Sequence, residues 1–226
     1  MTSEMPPRSR TRRRLPKAER EQQLLDVAEE LFMAQGYDRT SIEDVARGAG
    51  VSRPIVYAHH GSKEGLYVAC VRRARARYVE QLSDALASSP DPRRQLATAG
   101  ELFFSILEQN PKRWLVLFGG SAVPVFGELG DQLMALRAEG IARIATVLDD
   151  EAVTHDPTRA DILAHAIAGT GEQVGRWWIE HPEVPRSQIV EIYTDFIWSG
   201  LRSLAAPASG DRGAVGGSCP PVPRAV

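Results

Sequence analysis

The sequence predicts an all-α fold of about nine helices, divided between an N-terminal helix-turn-helix unit and a larger C-terminal helical body. Apolar residues recur at three- and four-residue spacing from residue 17 to about residue 204, and loops rich in Gly, Pro or Asp separate most of the repeats. Alternating β-branched runs joined by tight Gly-Asn turns, which would indicate strands, are missing from the sequence. The 226 residues, 43% hydrophobic and 25% charged, have an ordinary globular composition.

The predicted helices follow one another in a regular order. The first carries an apolar stripe that includes Leu24 and Phe32, and it ends at Gly36, a common helix terminator. The second opens at Thr40, whose side chain forms a capping box with Glu43. Caps, glycines and prolines set the remaining boundaries. The predicted helices are 17–35, 40–48, 52–61, 62–87, 93–109, 112–117, 128–148, 158–180 and 187–204.

Both ends of the chain are predicted to be disordered. Residues 1–16 form an Arg-dense arm, and residues 206–226 form a Gly/Pro-rich tail with no large apolar residue beyond valine. No apolar run approaches the ~20 residues of a membrane span, and the N-terminus lacks the apolar stretch of a signal peptide. The only cysteines, Cys70 and Cys219, offer no disulfide framework, so we expect a cytoplasmic protein without a membrane partner.

The net charge of −2 conceals an asymmetry along the chain. Residues 1–80 hold 15 Lys and Arg against 11 Asp and Glu, whereas the remainder holds 12 against 18. A basic front end on an acidic body indicates an anionic partner for the front end, although many basic tails are simply solvated.

The sharpest local feature is a pair of short helices joined by the segment GAGVS. Gly50 suits a tight turn with positive φ, and Ser52 is a preferred cap for the next helix. Pro54 falls in the first turn of that helix, where its missing N–H would have had no intrahelical acceptor. A helix this short needs packing for stability, and its outward side chains form no second apolar face. The local pattern fits a DNA major groove and an ordinary helical hairpin equally well.

From residue 17 to about residue 67, the chain resembles the DNA-binding domain of the TetR family of transcriptional regulators. The resemblance rests on the segment LLDVAEELFMAQGYDRTSIEDVARGAGVSRPIVYAHHGSKEGLY, in which the elements of the family follow in the correct order and spacing. It implies a helix-turn-helix DNA-binding domain at 17–67 and a ligand-binding and dimerisation domain at 68–205. The second region resembles the family only in its size and helix count.

The resemblance implies that the third helix enters the major groove of double-stranded DNA. Arg53, Pro54 and Ile55 would then approach base edges, and Arg53 could pair bidentately with guanine. Thr40 and Ser41 at the N-terminus of the second helix, and Lys63 at that of the fourth, are placed to meet phosphates. A solvated surface lysine also explains Lys63, just as capping alone explains Thr40. The implied DNA-binding set is Thr40, Ser41, Ser52, Arg53, Pro54, Ile55, Tyr57, His59 and Lys63.

The adjacent histidines, His59 and His60, have two interpretations. A metal site is disfavoured because neighbouring helical residues point about 100° apart, and no Cys or third His lies at ligand spacing. By resemblance, His59 touches DNA, whereas His60 stands where the family usually has an aromatic residue, most often Phe, in its small core. The ring nitrogen of His60 therefore needs a partner, such as a backbone carbonyl at the helix end, or the domain packs less tightly.

The C-terminal body is rich in aromatic side chains, which suit either a plain core or the wall of a small-molecule pocket. The family resemblance implies that the body encloses an effector pocket. Aromatic walls favour a small hydrophobic or aromatic effector, and no cofactor or metal is expected. The candidate lining residues are Phe103, Trp114, Phe118, Phe126 and Trp177.

Small residues recur at four-three-four-three spacing along the predicted helix at 158–180 and form one smooth stripe that ends in a tryptophan. An adjacent apolar arc indicates two packing partners, which are the core of the body and, by resemblance, a second subunit. Close helix approach would explain the glycines, since each costs ~1 kcal/mol relative to alanine inside a helix. The predicted homodimer interface is Ala164, Ala168, Gly171, Gly175, Trp178, Phe196 and Gly200. A twofold dimer implies a roughly palindromic operator.

Together with the resemblance, these features predict a ligand-responsive DNA-binding regulator, a repressor that a hydrophobic small molecule releases from its operator. Two alternatives belong to other classes. An all-helical enzyme is disfavoured because the sequence offers no nucleophile–base pair, no metal-ligand spacing and no phosphate loop. A helical adaptor or small-molecule-binding protein without DNA-dependent function would share the fold.

Overall fold

The computed structural model describes residues 15–118, 127–150, 154 and 156–205. Within this part, the chain forms nine α-helices and no strand, as the sequence predicts. Most of the predicted arm, the predicted tail and the candidate pocket residue Phe126 lie outside the described residues. None of the described helices is long and apolar enough to cross a membrane. The helices are α1 (Lys17–Gln35), α2 (Ile42–Ala49), α3 (Arg53–His60), α4 (Lys63–Ala87), α5 (Pro92–Gln109), α6 (Pro111–Leu117), α7 (Glu128–Asp150), α8 (Pro157–Glu180) and α9 (Arg186–Ala205).

Three helices of the body, α5, α6 and α8, begin one residue earlier than predicted because a proline occupies their first position. Proline suits this position, since its fixed φ is helical and its missing N–H would have lacked an acceptor. In each case, the side chain of the preceding Asp or Asn accepts a hydrogen bond from a backbone N–H of the first turn. The caps are Asp91, Asn110 and Asp156.

The capping box of α2 lies one residue later than predicted. Ser41 is the cap, and its Oγ accepts a hydrogen bond from the Asp44 N–H at 3.1 Å while the Asp44 carboxylate accepts one from the Ser41 N–H at 3.1 Å. Thr40 instead donates its hydroxyl to the carbonyl of Gly36 at 2.8 Å, so the predicted box of Thr40 and Glu43 is wrong.

A first core joins α1 to α4, with Leu24, Val45, Val56 and Leu66 fully buried. The long helix α4 runs through the predicted domain boundary at residue 67 without a break. Its next turn still packs in the first core, as does Leu136 of α7. Both α4 and α7 therefore extend from this core into the body.

A second core fills the body between α5, α6, α7, α8 and α9. Aromatic rings form its centre: Phe104 meets Trp178 and Tyr193 edge to face, at centroid distances of 6.0 and 5.5 Å. Such edge-to-face contacts stabilise beyond their area burial. Trp114 is fully buried beside them, and its ring lies directly against the backbone of Gly175.

Candidate nucleic-acid interface and effector site

The short helix α3 exposes most of its surface. Of its eight residues, only Val56 is buried in the first core. Arg53 and Pro54 are exposed, as are Ile55 and Tyr57, the latter with half of its surface accessible. The exposed surface of α3 thus carries the cation of Arg53, the phenol ring of Tyr57 and the apolar side chain of Ile55, while Val56 anchors the helix in the first core. Such a projecting helix can enter the major groove of B-DNA.

The turn before α3 orients this helix. Gly50 adopts a φ of 62° in the left-handed region, and its N–H bonds to the carbonyls of Ala46 and Arg47. Ser52 occupies the N-cap position with extended backbone, as predicted, but its side chain makes no capping hydrogen bond. The exposed hydroxyl of Ser52 therefore remains compatible with the predicted DNA contact.

Arg53 is held loosely by an intramolecular ion pair. Its Nη1 lies 3.8 Å from the carboxylate of Glu43, with about two thirds of both side chains exposed. Arg47 approaches the same carboxylate at 3.8 Å and bonds to Asp44 at 3.1 Å. Exposed pairs of this kind contribute only ~0–1 kcal/mol. The guanidinium of Arg53 can therefore leave Glu43 for a base edge at little cost.

The two residues expected to meet phosphates at the start of α2 differ in accessibility. Ser41 is exposed beside the first N–H groups of the helix, where a phosphate is favoured. Thr40 is only 2% exposed, and its hydroxyl donates into the turn after α1. The expected side-chain contact of Thr40 with DNA is therefore wrong, because this residue anchors the loop from inside.

Lys63 stands at the start of α4, as predicted, but its ammonium group has intramolecular partners. It lies 4.3 Å from the ring centroid of Tyr37 and donates to the carbonyl of Asp38 at 3.3 Å. The Tyr37 hydroxyl donates to the carboxylate of Glu64 at 3.0 Å. Burial, and then the bond to Glu64, raises the pKa of Tyr37 to about 12. These contacts fix the corner between α1 and α4, and the phosphate contact of Lys63 stays a prediction.

The two histidines at the end of α3 are partly buried. Their ring centroids lie 6.1 Å apart, and the described residues contain no group of three side chains that could hold a metal ion. His59 Nδ1 and His60 Nε2 are buried without a hydrogen-bond partner, so the carbonyl bond expected for His60 does not form. Burial lowers the pKa of His60, with Glu21 acting in the opposite direction.

Three aromatic rings meet where α4, α5 and the end of α6 converge. Phe103 and Phe118 lie 4.7 Å apart, and Tyr78 meets Phe118 edge to face at 5.3 Å. Burial raises the pKa of Tyr78 to about 12, yet all three residues keep accessible surface. Phe103 and Phe118 are therefore compatible with a pocket, and the sequence interpretation missed Tyr78 because nothing distinguishes it within a long amphipathic helix.

The two other described lining candidates differ in their surroundings. Trp114 is fully buried in the second core, with its ring centroid 5.5 Å from that of Phe103 and 6.0 Å from that of Phe118. Trp177 is 47% exposed and stacks on His181 at a centroid distance of 4.1 Å, on the outer side of α8. The outward position of Trp177 does not fit an internal pocket, because aromatic character alone does not indicate which side of a helix faces the interior, whereas the place of Trp114 in the pocket wall stays a prediction.

The stripe of small residues along α8 packs inside the protomer. A methyl group at Gly171 would contact Phe103 and Tyr193 at 3.5–3.6 Å, and one at Gly175 would lie 2.4 Å from Trp114. The predicted placement of the stripe in the homodimer interface is therefore wrong, because its small side chains accommodate aromatic rings of the same chain. The residues concerned are Ala164, Ala168, Gly171, Gly175 and Trp178.

The opposite faces of α8 and α9 carry a different apolar surface. The two helices run antiparallel, since Arg159 near the start of α8 donates to the carbonyl of Leu204 near the end of α9 at 3.2 Å. Phe196 is the most exposed large apolar residue of this surface, at 67%, and a methyl group at Gly200 would meet open space. The remaining members of this exposed α8–α9 face are Ile162, Trp177, Ile192 and Leu204.

Comparisons with known proteins cover both parts of the chain. Residues 24–70 match the family model "Bacterial regulatory proteins, tetR family", and residues 92–200 match the model "Tetracyclin repressor-like, C-terminal domain". The HTH-type transcriptional activator FasR of Mycolicibacterium smegmatis is 29% identical over 189 residues, which cover 83% of this chain and 85% of the relative. The HTH-type transcriptional regulator EthR of the same organism is 31% identical over 106 residues, covering 46% of this chain and 49% of the relative.

Solved structures show the same architecture. A TetR-like transcriptional regulator from Rhodococcus sp. RHA1 is 29% identical, with a TM-score of 0.61 over 84% of this chain and 99% of that chain. FadR from Bacillus subtilis, solved in complex with stearoyl-CoA, has a TM-score of 0.62 over 82% of this chain and 97% of that chain. Its 16% identity makes this a likeness of fold. The relatives named here are transcriptional regulators, not enzymes.

Proposed function

Because the chain belongs to the TetR family of bacterial transcriptional regulators, we propose that it binds a palindromic operator as a homodimer and that a hydrophobic small molecule releases it. The chain is a DNA-binding regulator and not an enzyme. The observation that carries the operator proposal is α3, which keeps a single buried residue and exposes Arg53 beside a weak ion pair. Its proposed site of action is the cytoplasm, where bacterial DNA lies.

Arg53 is the side chain proposed to read bases. A bidentate pair with guanine contributes ~1–3 kcal/mol of discrimination, or about 5- to 150-fold in affinity. Arg53→Ala should weaken binding to an operator selected from random duplexes by this factor and change binding to random duplex much less. Fluorescence anisotropy at several salt concentrations measures both affinities.

Arg47→Ala is the matched control, because Arg47 is also exposed and also contacts Glu43, but it belongs to α2. This control should leave operator selectivity unchanged. If Arg53→Ala lowered the affinity for operator and for random duplex by the same factor, Arg53 would not read bases. If the unmodified dimer shows no preference for any duplex at any salt concentration, operator binding itself is wrong.

The exposed α8–α9 face is proposed as the homodimer interface. Isolated chains rarely expose several large apolar side chains on two neighbouring helices, so the partner proposed to cover them is a second copy related by twofold symmetry. Phe196→Glu should convert the dimer to a folded monomer, because Phe196 makes little contact within its own protomer. Met134→Glu, at another exposed apolar side chain, on α7, should leave the dimer intact. Sedimentation velocity distinguishes the two species, and a dimeric Phe196→Glu variant would refute this interface.

The aromatic space around Phe103, Phe118 and Tyr78 is proposed as the effector pocket. The short helix α6 links it to the DNA-binding unit: Lys112 near its start donates to the carbonyl of Ala34 at the end of α1 at 3.4 Å. Phe118 directly follows the end of α6. A ligand that contacts the Phe118 ring can thus bias the position of α1, provided that the ligand binds the DNA-free state of the protein more tightly than the operator-bound state.

Mass spectrometry of molecules that co-purify with the chain, followed by operator titrations with each, tests the pocket. A pocket ligand should lower operator affinity, and an apolar molecule that binds the body without changing operator affinity would argue against coupling. Repression is tested by fusing the operator-bearing promoter to a reporter with and without the protein. Increased expression would show an activator, which is how the relative FasR is named.

A further inference from the structure

The body contains a buried cation without an anionic partner. Arg75 of α4 donates from Nη1 to the carbonyl of Leu136 at 2.7 Å and from Nη2 to the carbonyl of Leu117. Its Nε is buried and has no hydrogen-bond partner. Among the ion pairs found in the described part of the chain, none includes Arg75. A buried, unpaired donor on a charged group is costly, so a function is the natural explanation.

The acidic group that acts most strongly on Arg75 is already neutralised. Glu172 of α8 receives two hydrogen bonds from Arg137, at 3.0 and 2.7 Å, so its carboxylate is occupied by another guanidinium. Burial lowers the pKa of Arg75, and Glu172 only partly opposes this effect. Arg75 therefore keeps a positive charge that no carboxylate in the described part of the chain pairs directly, near the aromatic ring of Phe118.

The geometry around Arg75 fits a carboxylate. Two of its five N–H donors, one on each terminal nitrogen, are used on carbonyls, which leaves the Nε–H and one N–H on each terminal nitrogen for a carboxylate. The guanidinium lies 5.9 Å from the ring centroid of Phe118, so these donors border the proposed aromatic pocket. A methyl group at Gly140 would lie 3.3 Å from Nη1, and the glycine thus keeps room for the guanidinium against α7.

We infer that Arg75 binds the anionic head of the effector, and that the effector is a monocarboxylic acid with an apolar or aromatic body. This inference rests on the proposed regulator function, because it names the chemical class of ligand for the same pocket. A purely structural role explains the two hydrogen bonds from Arg75 to carbonyls, because they attach α6 and α7 to α4. It does not account for the unpartnered Nε, which a ligand carboxylate would satisfy.

The test compares acids with their neutral amides on the full-length protein. The probes are decanoate and 4-phenylbutyrate against decanamide and 4-phenylbutyramide, with binding followed by calorimetry and by tryptophan fluorescence. Because a charge-assisted hydrogen bond is stronger than a neutral one, at least one acid should bind about tenfold or more tightly than its amide. No preference for the acid in either pair would overturn the inference without any substitution.

Variants then assign the effect to one side chain. Arg75→Gln should remove the preference for the acid, measured as the ratio of acid to amide affinity in the same variant, whereas Arg75→Lys should retain part of this preference as a point charge. Arg72→Gln, at an exposed position on the same helix, should behave like the unmodified chain. An acid preference that survives in Arg75→Gln would place the carboxylate elsewhere and contradict the inference.

Operator binding is measured on the same samples to separate the two proposals. If the protein binds its operator selectively but binds acid and amide equally, the carboxylate inference fails and the regulator function stands. If selective operator binding is absent, the proposed function fails, whatever the acid preference. Release of the operator by the acid, and not by its amide, supports both.

Discussion

The two glycines on the inner face of α8 should respond in opposite ways to alanine. Gly171 and Gly175 lie one turn apart on the same buried stripe, so their helical and burial contexts are alike. A methyl group at Gly171 meets its neighbours at 3.5–3.6 Å, an ordinary contact distance, whereas one at Gly175 would lie 2.4 and 2.7 Å from two ring atoms of Trp114. The difference between them isolates steric overlap from helix propensity.

The expected magnitudes follow from these distances. Alanine gains ~1 kcal/mol over glycine in a helix interior, so Gly171→Ala should stabilise the protein by up to about 1 kcal/mol. Gly175→Ala has the same gain, but Trp114 is fully buried and rigid, so relieving the overlap must shift its ring or the helix. Overpacking costs ~1–3 kcal/mol, and we place this case at the upper end, which leaves a net loss of about 1–2 kcal/mol.

Thermal unfolding at one fixed protein concentration measures both effects, because the melting temperature of a dimer depends on concentration. For a chain of this size, 1 kcal/mol corresponds to about 2–4 °C. Gly175→Ala should therefore lower the Tm by about 2–8 °C, while Gly171→Ala raises it by up to about 4 °C. Dimer dissociation should be unchanged in both. If instead both variants were folded as stably as the unmodified chain and dissociated more readily, the stripe would face a second subunit and the packing argument would fail.

Three further substitutions test the first core and its helix ends. Ser41→Ala should cost about 1 kcal/mol of unfolding free energy, because it removes the capping box of α2, whereas Ser52→Ala should cost much less, since Ser52 makes no capping bond; urea titration compares them. Burial depresses the pKa of folded His60, so its contribution to stability is retained above the usual histidine pKa of about 6.5 and falls as the pH drops through it. His60→Phe should flatten the decline of Tm between about pH 7 and pH 5, and an unchanged slope would show that other groups cause it. Arg73→Met should destabilise by about 1–2 kcal/mol, because it removes the nearer of the two guanidinium partners of the partly buried Glu29 carboxylate and leaves Arg77 at 3.5 Å, and exposed Arg72→Met should change stability by less than about 0.5 kcal/mol.

The helix order could be predicted from the sequence because periodicity, glycines and prolines act locally. The position of the α2 capping box could not be predicted, because the sequence contains two overlapping candidate pairs. Thr40 and Glu43 stand one residue before Ser41 and Asp44, with the same three-residue spacing. Both pairs have the Ser or Thr followed three residues later by an acidic residue that a capping box needs. The choice depends on the turn after α1, where the carbonyl of Gly36 takes the hydroxyl of Thr40.

The small-residue stripe could be recognised as a close-packing surface, but not assigned to a partner. Its partner includes Trp114, 61 residues before Gly175 in the chain, and no local pattern relates the two. The resemblance to the family favoured a subunit interface, and the rings of the same protomer occupy that side instead. The outward residues Phe196 and Gly200 were predicted from the same reasoning and do lie on an open face.

The arginines of α4 show how one helix serves both cores. The run VRRARARY contains four arginines, and no local pattern in it distinguishes one from another. Arg73 and Arg75 are two residues apart, so they project about 200° apart around the helix. Arg73 binds Asp26 and Glu29 of α1, each at 2.8 Å, whereas Arg75 holds the end of α6 and the backbone of α7. A ligand that draws on Arg75 therefore acts on the same rigid helix that carries α1, so a displacement at the pocket must either move the DNA-binding unit or break the Arg73 ion pairs.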